Sequence, residues 1–164
     1  MNKKYSITFL SILGVLVIIM LYYITFKKET KIDEAYQVDN ILLHNLDGLT
    51  INIFDSEYPF LLFFYKSSCD YCIEEAQQIV ENISYFNCTQ IYFISSEKHC
   101  YIKEFSDKLA CNEIEFLQDK DGFLIESFNI DISPTIIIYT RNKCIRRFSG
   151  VVPVEQLIFE VTND

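Results

Sequence analysis

The chain has 164 residues, 50% of them hydrophobic and 15% aromatic, with a formal net charge of −9. That is enough apolar material for a packed core and too much for a disordered chain. The first 28 positions hold four of the 14 basic residues and none of the 23 acidic ones, so residues 29–164 carry a net charge of −13. Such a surface repels nucleic acid and anionic lipid, whose affinity for proteins rests on Lys and Arg neutralising phosphate, and nucleic acid is excluded as a partner.

Positions 7–26, ITFLSILGVLVIIMLYYITF, contain no Asp, Glu, Lys, Arg or His. About 20 residues at helical rise span a bilayer core, which predicts a transmembrane helix. A cleaved signal peptide would have a shorter apolar region ending in small residues. Here the run ends in Tyr22, Tyr23 and Phe26, then Lys27 and Lys28, an aromatic interface followed by lysines. Lys3 and Lys4 on one side are balanced by Lys27, Lys28 and Lys31 on the other, so charge alone does not orient the segment. The expected organisation is an anchor over 1–28, a polar linker over 29–37 and one domain over 38–164.

Ile41 to Leu43 and Leu49 to Phe54 are short β-prone runs around Asp47-Gly48, and they predict a hairpin ahead of the main sheet. Pro59 opens FLLFFY, a continuous apolar run suited to a strand buried on both faces. Ile73, Ala76, Val80 and Ile83 then recur at helical spacing. Residues 90–95, QIYFIS, predict a second buried strand, and Ile102, Phe105 and Leu109 a second helix. Ile114 to Leu117 reads as a short strand, Asp119 to Gly122 as a turn, and Phe123 to Phe128 as a short helix or extended piece. After Pro134, TIIIY is an apolar strand that turns through Arg141-Asn142-Lys143 into CIRRFSG, predicting an antiparallel hairpin. Pro153 followed by Val154, Leu157, Ile158 and Val161 predicts a closing helix.

Between the first buried strand and its helix lies Lys66-Ser67-Ser68-Cys69-Asp70-Tyr71-Cys72. A Cys-x-x-Cys pair by itself serves redox sites and zinc knuckles alike. At a strand-to-helix junction, however, the first sulfur meets free backbone N–H groups and the positive end of the helix dipole, which stabilise an anion. Cys69 is thus the expected attacking thiolate and Cys72 the resolving partner in thiol–disulfide exchange. Asp70 beside Cys69 opposes the thiolate and partly offsets the helix.

These residues resemble the thioredoxin superfamily and, within it, the TlpA/ResA-like membrane-anchored thiol–disulfide oxidoreductases. The resemblance covers roughly residues 40–162 in element order, and its most specific pieces are FLLFFYKSSCDYC, Ser133-Pro134-Thr135 before an apolar strand, and Gly150 leading to a helix. It implies a thioredoxin-like α/β fold, a central mixed β-sheet flanked by helices with an added N-terminal hairpin. It also implies that Pro134 is cis opposite a redox-active Cys69–Cys72 disulfide, that Ser133 pairs its backbone with a bound client, and that Glu75 tunes the pair or moves its proton. By the same resemblance Asp70 and Tyr71, between the two cysteines, are expected to meet a docking client. The implied activity is reduction of disulfides in extracytoplasmic proteins, with the N-terminus cytoplasmic, a membrane electron-donor protein as second partner, and no cofactor. The family's usual Trp before the first cysteine and Pro before the second are replaced by Ser68 and Tyr71, so the surface offered to a partner differs from the family's. A redox-inactive binding module with a structural disulfide therefore stays open.

The other cysteines carry weaker signals. Cys88 and Cys144, beside and within strands, read as small buried hydrophobes. On one continuous helix Cys100 and Cys111 would stand roughly 16 Å apart, beyond disulfide reach, so a bridge between them needs a broken helix. His99 and Cys100 together with Cys69 and Cys72 offer a Cys3His set for metal, but the spacing differs from that of copper-binding members of this fold. Peroxidase chemistry is disfavoured because Lys66 stands where peroxiredoxins have Thr.

Overall fold

A computed structural model describes residues 42–55, 58–139 and 145–162. The proposed anchor, the linker, the Arg141-Asn142-Lys143 turn and Cys144 lie outside the described residues. Among the described residues no helix is long and apolar enough to cross a membrane.

The strands are β1 (Leu42–Asn45), β2 (Thr50–Asn52), β3 (Phe60–Phe64), β4 (Gln90–Ser95), β5 (Ile114–Gln118), β6 (Thr135–Tyr139) and β7 (Ile145–Ser149). The helices are α1 (Asp70–Glu81), α2 (His99–Leu109), α3 (Phe123–Ser127) and α4 (Val154–Thr162). Together the strands form a seven-stranded sheet in the order β2-β1-β5-β4-β3-β6-β7. The three middle strands β5, β4 and β3 are parallel, while β6 and β7 on one side and β1 and β2 on the other are antiparallel additions. This is the mixed sheet with flanking helices, and the leading hairpin, that the sequence predicts.

Strand β3 explains the layering. All five of its residues are buried, and successive side chains must point to opposite faces. Leu61 and Phe63 enter a core with Cys72, Ala76 and Ile79 of α1, Ile102 and Phe105 of α2, and Val154 and Leu157 of α4. Phe60, Leu62 and Phe64 enter a second core with Leu43, Ile53, Leu124 of α3 and Phe128. Strands β4 and β6 alternate the same way: Phe93 and Ile136 belong to the first core, Ile94 and Ile137 to the second. The sheet is thus covered on both faces, as parallel strands require.

Three expectations are corrected. The run Leu49–Phe54 is not one strand: β2 stops at Asn52, and Ile53–Asp55 turn into a 3-10 helix that drops Ile53 into the second core. Helix α1 ends at Glu81, and Ile83 belongs to a separate 3-10 turn over Ile83–Phe86. Cys88 is exposed rather than a buried hydrophobe, because it follows that turn before the chain enters β4. In line with the expectation, no bridge joins Cys100 and Cys111: α2 ends at Leu109, Ala110 takes a left-handed φ of 49°, and both are free thiols. The segment read as helix or extended is the helix α3.

Phe93 sits at the crossing of the first core, fully buried with its ring 4.6 Å from that of Phe63 and 5.3 Å from that of Phe116. Phe93→Ala should therefore cost about 3–5 kcal/mol in urea unfolding, whereas Leu42→Ala, at 62% exposure on β1, should stay within about 0.5 kcal/mol of the parent.

Candidate active site

The site forms at the C-terminal ends of the parallel strands β3 and β4. Tyr65 continues β3 with its N–H bonded to the Ile94 carbonyl at 3.1 Å, after which the chain leaves the sheet. Cys69 N–H bonds back to the Lys66 carbonyl at 3.1 Å, closing a turn that delivers Cys69 to the N-cap of α1. There its sulfur does what a Ser or Asp cap oxygen does elsewhere: Cys72 N–H donates to Cys69 Sγ at 3.2 Å. Asp70 in the first turn adds a negative charge at the positive end of the helix dipole.

Cys72 is fully buried in the first core, while Cys69 is half-buried at its edge. Burial, reinforced by the hydrogen bond with Cys69, pushes the Cys72 thiol up to about 12. One thiol thus lies half-buried at a helix N-terminus, and the other is enclosed in the core with its pKa raised.

Three more segments close around this pair. The Ser133–Pro134 bond is cis, and the Ser133 carbonyl oxygen lies 3.8 Å from Cys69 Sγ, accepting its S–H. Gly150 N–H donates to the Pro134 carbonyl at 2.8 Å, with Gly150 at a φ of 88° that a side chain would strain. Two residues on, Val152 N–H donates to the Glu75 carboxylate, 3.2 Å from one oxygen and 3.4 Å from the other. Glu75 is 3% exposed, one helical turn beyond Cys72 on the same face of α1. Burial raises its carboxyl from the ordinary 4.5 to about 7, Glu74 adds to the rise, and the Val152 N–H partly opposes it.

The sequence-based site residues accordingly divide. Cys69, Cys72, Glu75, Ser133 and Pro134 come together, with Pro134 buried and Ser133 half-buried. Asp70 and Tyr71 are exposed beside them, Tyr71 at 65%. Exposed Ile132 and Val151 adjoin Ser133 and Gly150 in the chain.

Sequence reasoning missed the Glu97 clamp. The Glu97 carboxylate accepts Ser67 N–H at 2.6 Å and Ser67 Oγ–H at 3.0 Å, with Ser95 Oγ–H at 3.3 Å. Its own carbonyl accepts Gln118 Nε2 at 2.8 Å. Glu97 thereby ties the ends of β4 and β5 to the loop that carries Cys69. The available signal was positional, an acidic residue just past the C-terminal end of a strand parallel to β3. Tyr65 was also missed as a site neighbour: its ring stacks on Phe105 at 4.4 Å, and its phenol is raised by burial, then by Glu97 and Cys72. His99 is engaged elsewhere, its Nε2 lying 2.9 Å from the Leu46 carbonyl oxygen.

The AhpC/TSA family model matches residues 35–148. No curated protein sequence matches the chain. Among solved structures, the fold is similar to a secreted Mycobacterium tuberculosis disulfide oxidoreductase homologous to E. coli DsbE, at 17% identity and a TM-score of 0.68 over 76% of this chain and 96% of that one. It is similar to StoA from Bacillus subtilis, at 20% identity and a TM-score of 0.61 over 73% and 93%. It also resembles the Xanthomonas campestris bacterioferritin comigratory protein, described for alkyl peroxide reduction, at 13% identity and a TM-score of 0.66 over 75% and 90%.

Glu75 binds its proton more tightly in the folded chain than in the unfolded one, so folding takes up a proton between about pH 4.5 and 7. Its contribution is present below the lower value and is lost as pH rises through the upper one. Relative to Glu75→Gln, the wild-type protein should lose up to roughly 3 kcal/mol of unfolding free energy between about pH 5 and 8. Parallel curves for the two proteins across that range would show that Glu75 is not held protonated.

Proposed function

Because the chain belongs to the AhpC/TSA family of thioredoxin-like thiol oxidoreductases, we propose that it is a membrane-anchored thiol–disulfide oxidoreductase that reduces disulfides of extracytoplasmic proteins through Cys69 and Cys72. The observation that carries this reading is the position of Cys69 Sγ, capped by Cys72 N–H and facing the Ser133 carbonyl beside Pro134. A metal-free exchange of electron pairs needs nothing more than these two sulfurs and a path for protons.

The Cys69 thiolate attacks one sulfur of the client disulfide. The client S–S bond breaks, its other sulfur leaves as a thiolate, and a Cys69–client mixed disulfide forms. Cys72 then loses its proton toward Glu75 and attacks Cys69 Sγ, releasing the second client thiolate and leaving a Cys69–Cys72 disulfide. The client gains two electrons and, after protonation, two protons. A membrane electron-donor protein returns the two electrons to the pair. Ser133 offers its backbone to the extended client chain, and exposed Tyr71 with Asp70 meets the client beside the sulfur.

The fold relation to peroxide-reducing proteins does not redirect this reading. A peroxidatic cysteine needs a donor to polarise the O–O bond, and Lys66, where peroxiredoxins carry Thr, is exposed. The competing possibility, a binding module with an idle disulfide, differs in turnover alone.

Full-length protein should catalyse insulin reduction by dithiothreitol, and Cys69→Ser should fall to the uncatalysed rate. Equal turnover by the two would end the enzyme reading. Cys72→Ser should accumulate the client as a mixed disulfide on Cys69 that runs as a shifted band without reductant and disappears with it.

The location in this reading rests on residues 7–26, with the N-terminus in the cytoplasm and the domain outside. Exposed Cys88 and Cys100 provide the probe. A membrane-impermeant maleimide should label them in intact cells under reducing conditions, and labelling only after lysis would reverse the orientation.

A further inference from the structure

Two adjacent arginines on β7 point to opposite faces of the sheet. Arg146 pairs across the ladder with Ile138 and Arg147 with Ile137, and directly opposed residues project to the same side. Ile138 belongs to the core beneath α1 and α4, and Arg146 accordingly meets Glu160 of α4, Nε to Oε2 at 3.0 Å. Ile137 belongs to the core beneath α3, and Arg147 reaches the end of that helix.

There the Arg147 guanidinium works as a fork. Nη1 donates to the Phe128 carbonyl at 2.8 Å and Nη2 to the Asn129 carbonyl at 2.9 Å. Nη2 also lies 3.8 Å from Asp131 Oδ1, and Nε donates to Ser149 Oγ at 3.4 Å. Its side chain is 15% exposed, against 70% for Asp131, and the bond to the Phe128 carbonyl is the sheltered part of the set, while the one to the Asn129 carbonyl lies at the surface. Both bonds satisfy acceptors that the end of a short helix leaves without intrahelical partners, at a point where Asn129 holds a left-handed φ of 48°.

The chain from Phe128 leads within a few residues to the Ser133 carbonyl against Cys69. Its downstream end is held by Thr135 Oγ1–H on the Ile132 carbonyl at 2.7 Å and by Gly150 N–H on the Pro134 carbonyl. Arg147 holds its upstream end. We propose that Arg147 is a positioning residue for client docking: it fixes the segment 128–133 from the α3 side of the sheet and so sets where Ser133 meets the client chain. This rests on the oxidoreductase reading above, in which Ser133 pairs with the client. Arg147 acts through the backbone and touches neither sulfur, so its loss should weaken docking more than chemistry. A Lys ammonium lacks the rigid planar fork and cannot reproduce both bonds in the same geometry.

In insulin reduction by the full-length protein, Arg147→Gln should raise KM about tenfold while kcat changes by less than about twofold. Arg147→Lys should recover part of the loss. Amide hydrogen exchange should quicken over residues 128–133 and stay unchanged across α1. An unaltered KM would overturn the proposal, as would a parallel fall in kcat and kcat/KM or faster exchange spread over the whole sheet. Should Arg147→Gln not fold, Arg147→Lys carries the test, with the same split at smaller size expected, and wild-type KM and exchange in that variant refuting it. Failure of the wild-type protein to reduce insulin would defeat the oxidoreductase reading instead, and the exchange comparison would still decide whether Arg147 holds the segment.

Discussion

A strand with no polar face must be covered on both sides, and Phe60–Phe64 is such a strand. Its neighbours β4 and β6 complete its backbone hydrogen bonds, which a buried chain cannot leave unmade. Its alternating side chains then demand two cores, one closed by α1, α2 and α4, the other by α3, the 3-10 turn at Ile53 and the aromatic group around Phe128. Because β4 runs parallel to β3, both strands release their chains at the same edge of the sheet. The loop to α1 and the loop to α2 emerge side by side, and the Glu97 carboxylate is able to grip Ser67.

The chemistry inherits its geometry from that edge. Cys69 is an N-cap because the chain must turn from a buried strand into a helix within a few residues, and its sulfur takes the capping bond from Cys72 N–H. Cys72 is buried because α1 packs the same face that carries Ala76 and Ile79 onto β3. Glu75 shares that face, where its carboxyl group accepts Val152 N–H and burial raises its pKa. One packing decision, which side of α1 meets the sheet, thus sorts the two thiols into exposed and buried and lays a titrating group beside the buried one.

Much of this was legible in the residues. The apolar runs FLLFFY, QIYFIS and TIIIY are too continuous for a half-exposed strand, and the period of Ile73, Ala76 and Val80 marks the helix, although the face it buries is that of Cys72, Glu75, Ala76 and Ile79. The misreadings fall where local pattern is outweighed by tertiary contact. Ile53 and Phe54 have β propensity, yet Ile53 turns inward as a 3-10 helix because the second core takes it fully buried. Ile83 keeps the helical period, but Asn82 ends the helix and its cap bonds reach back to Ile79 and Val80. Cys88 resembles a buried small residue only until the turn that precedes it is known.

The order of elements, the double-faced strand and the Cys69-Asp70-Tyr71-Cys72 junction follow from local residue pattern, since each depends on residues within a few positions of one another. Folding alone brings together the distant groups that meet there: Ser133 with Cys69, Val152 with Glu75, Glu97 with Ser67, and Arg147 with the carbonyls of Phe128 and Asn129. Such contacts join residues tens of positions apart, and no local propensity encodes them. They arise because sheet order and strand direction bring the ends of β3, β4, β6 and β7 into register, and because buried polar groups must find partners wherever that register leaves them.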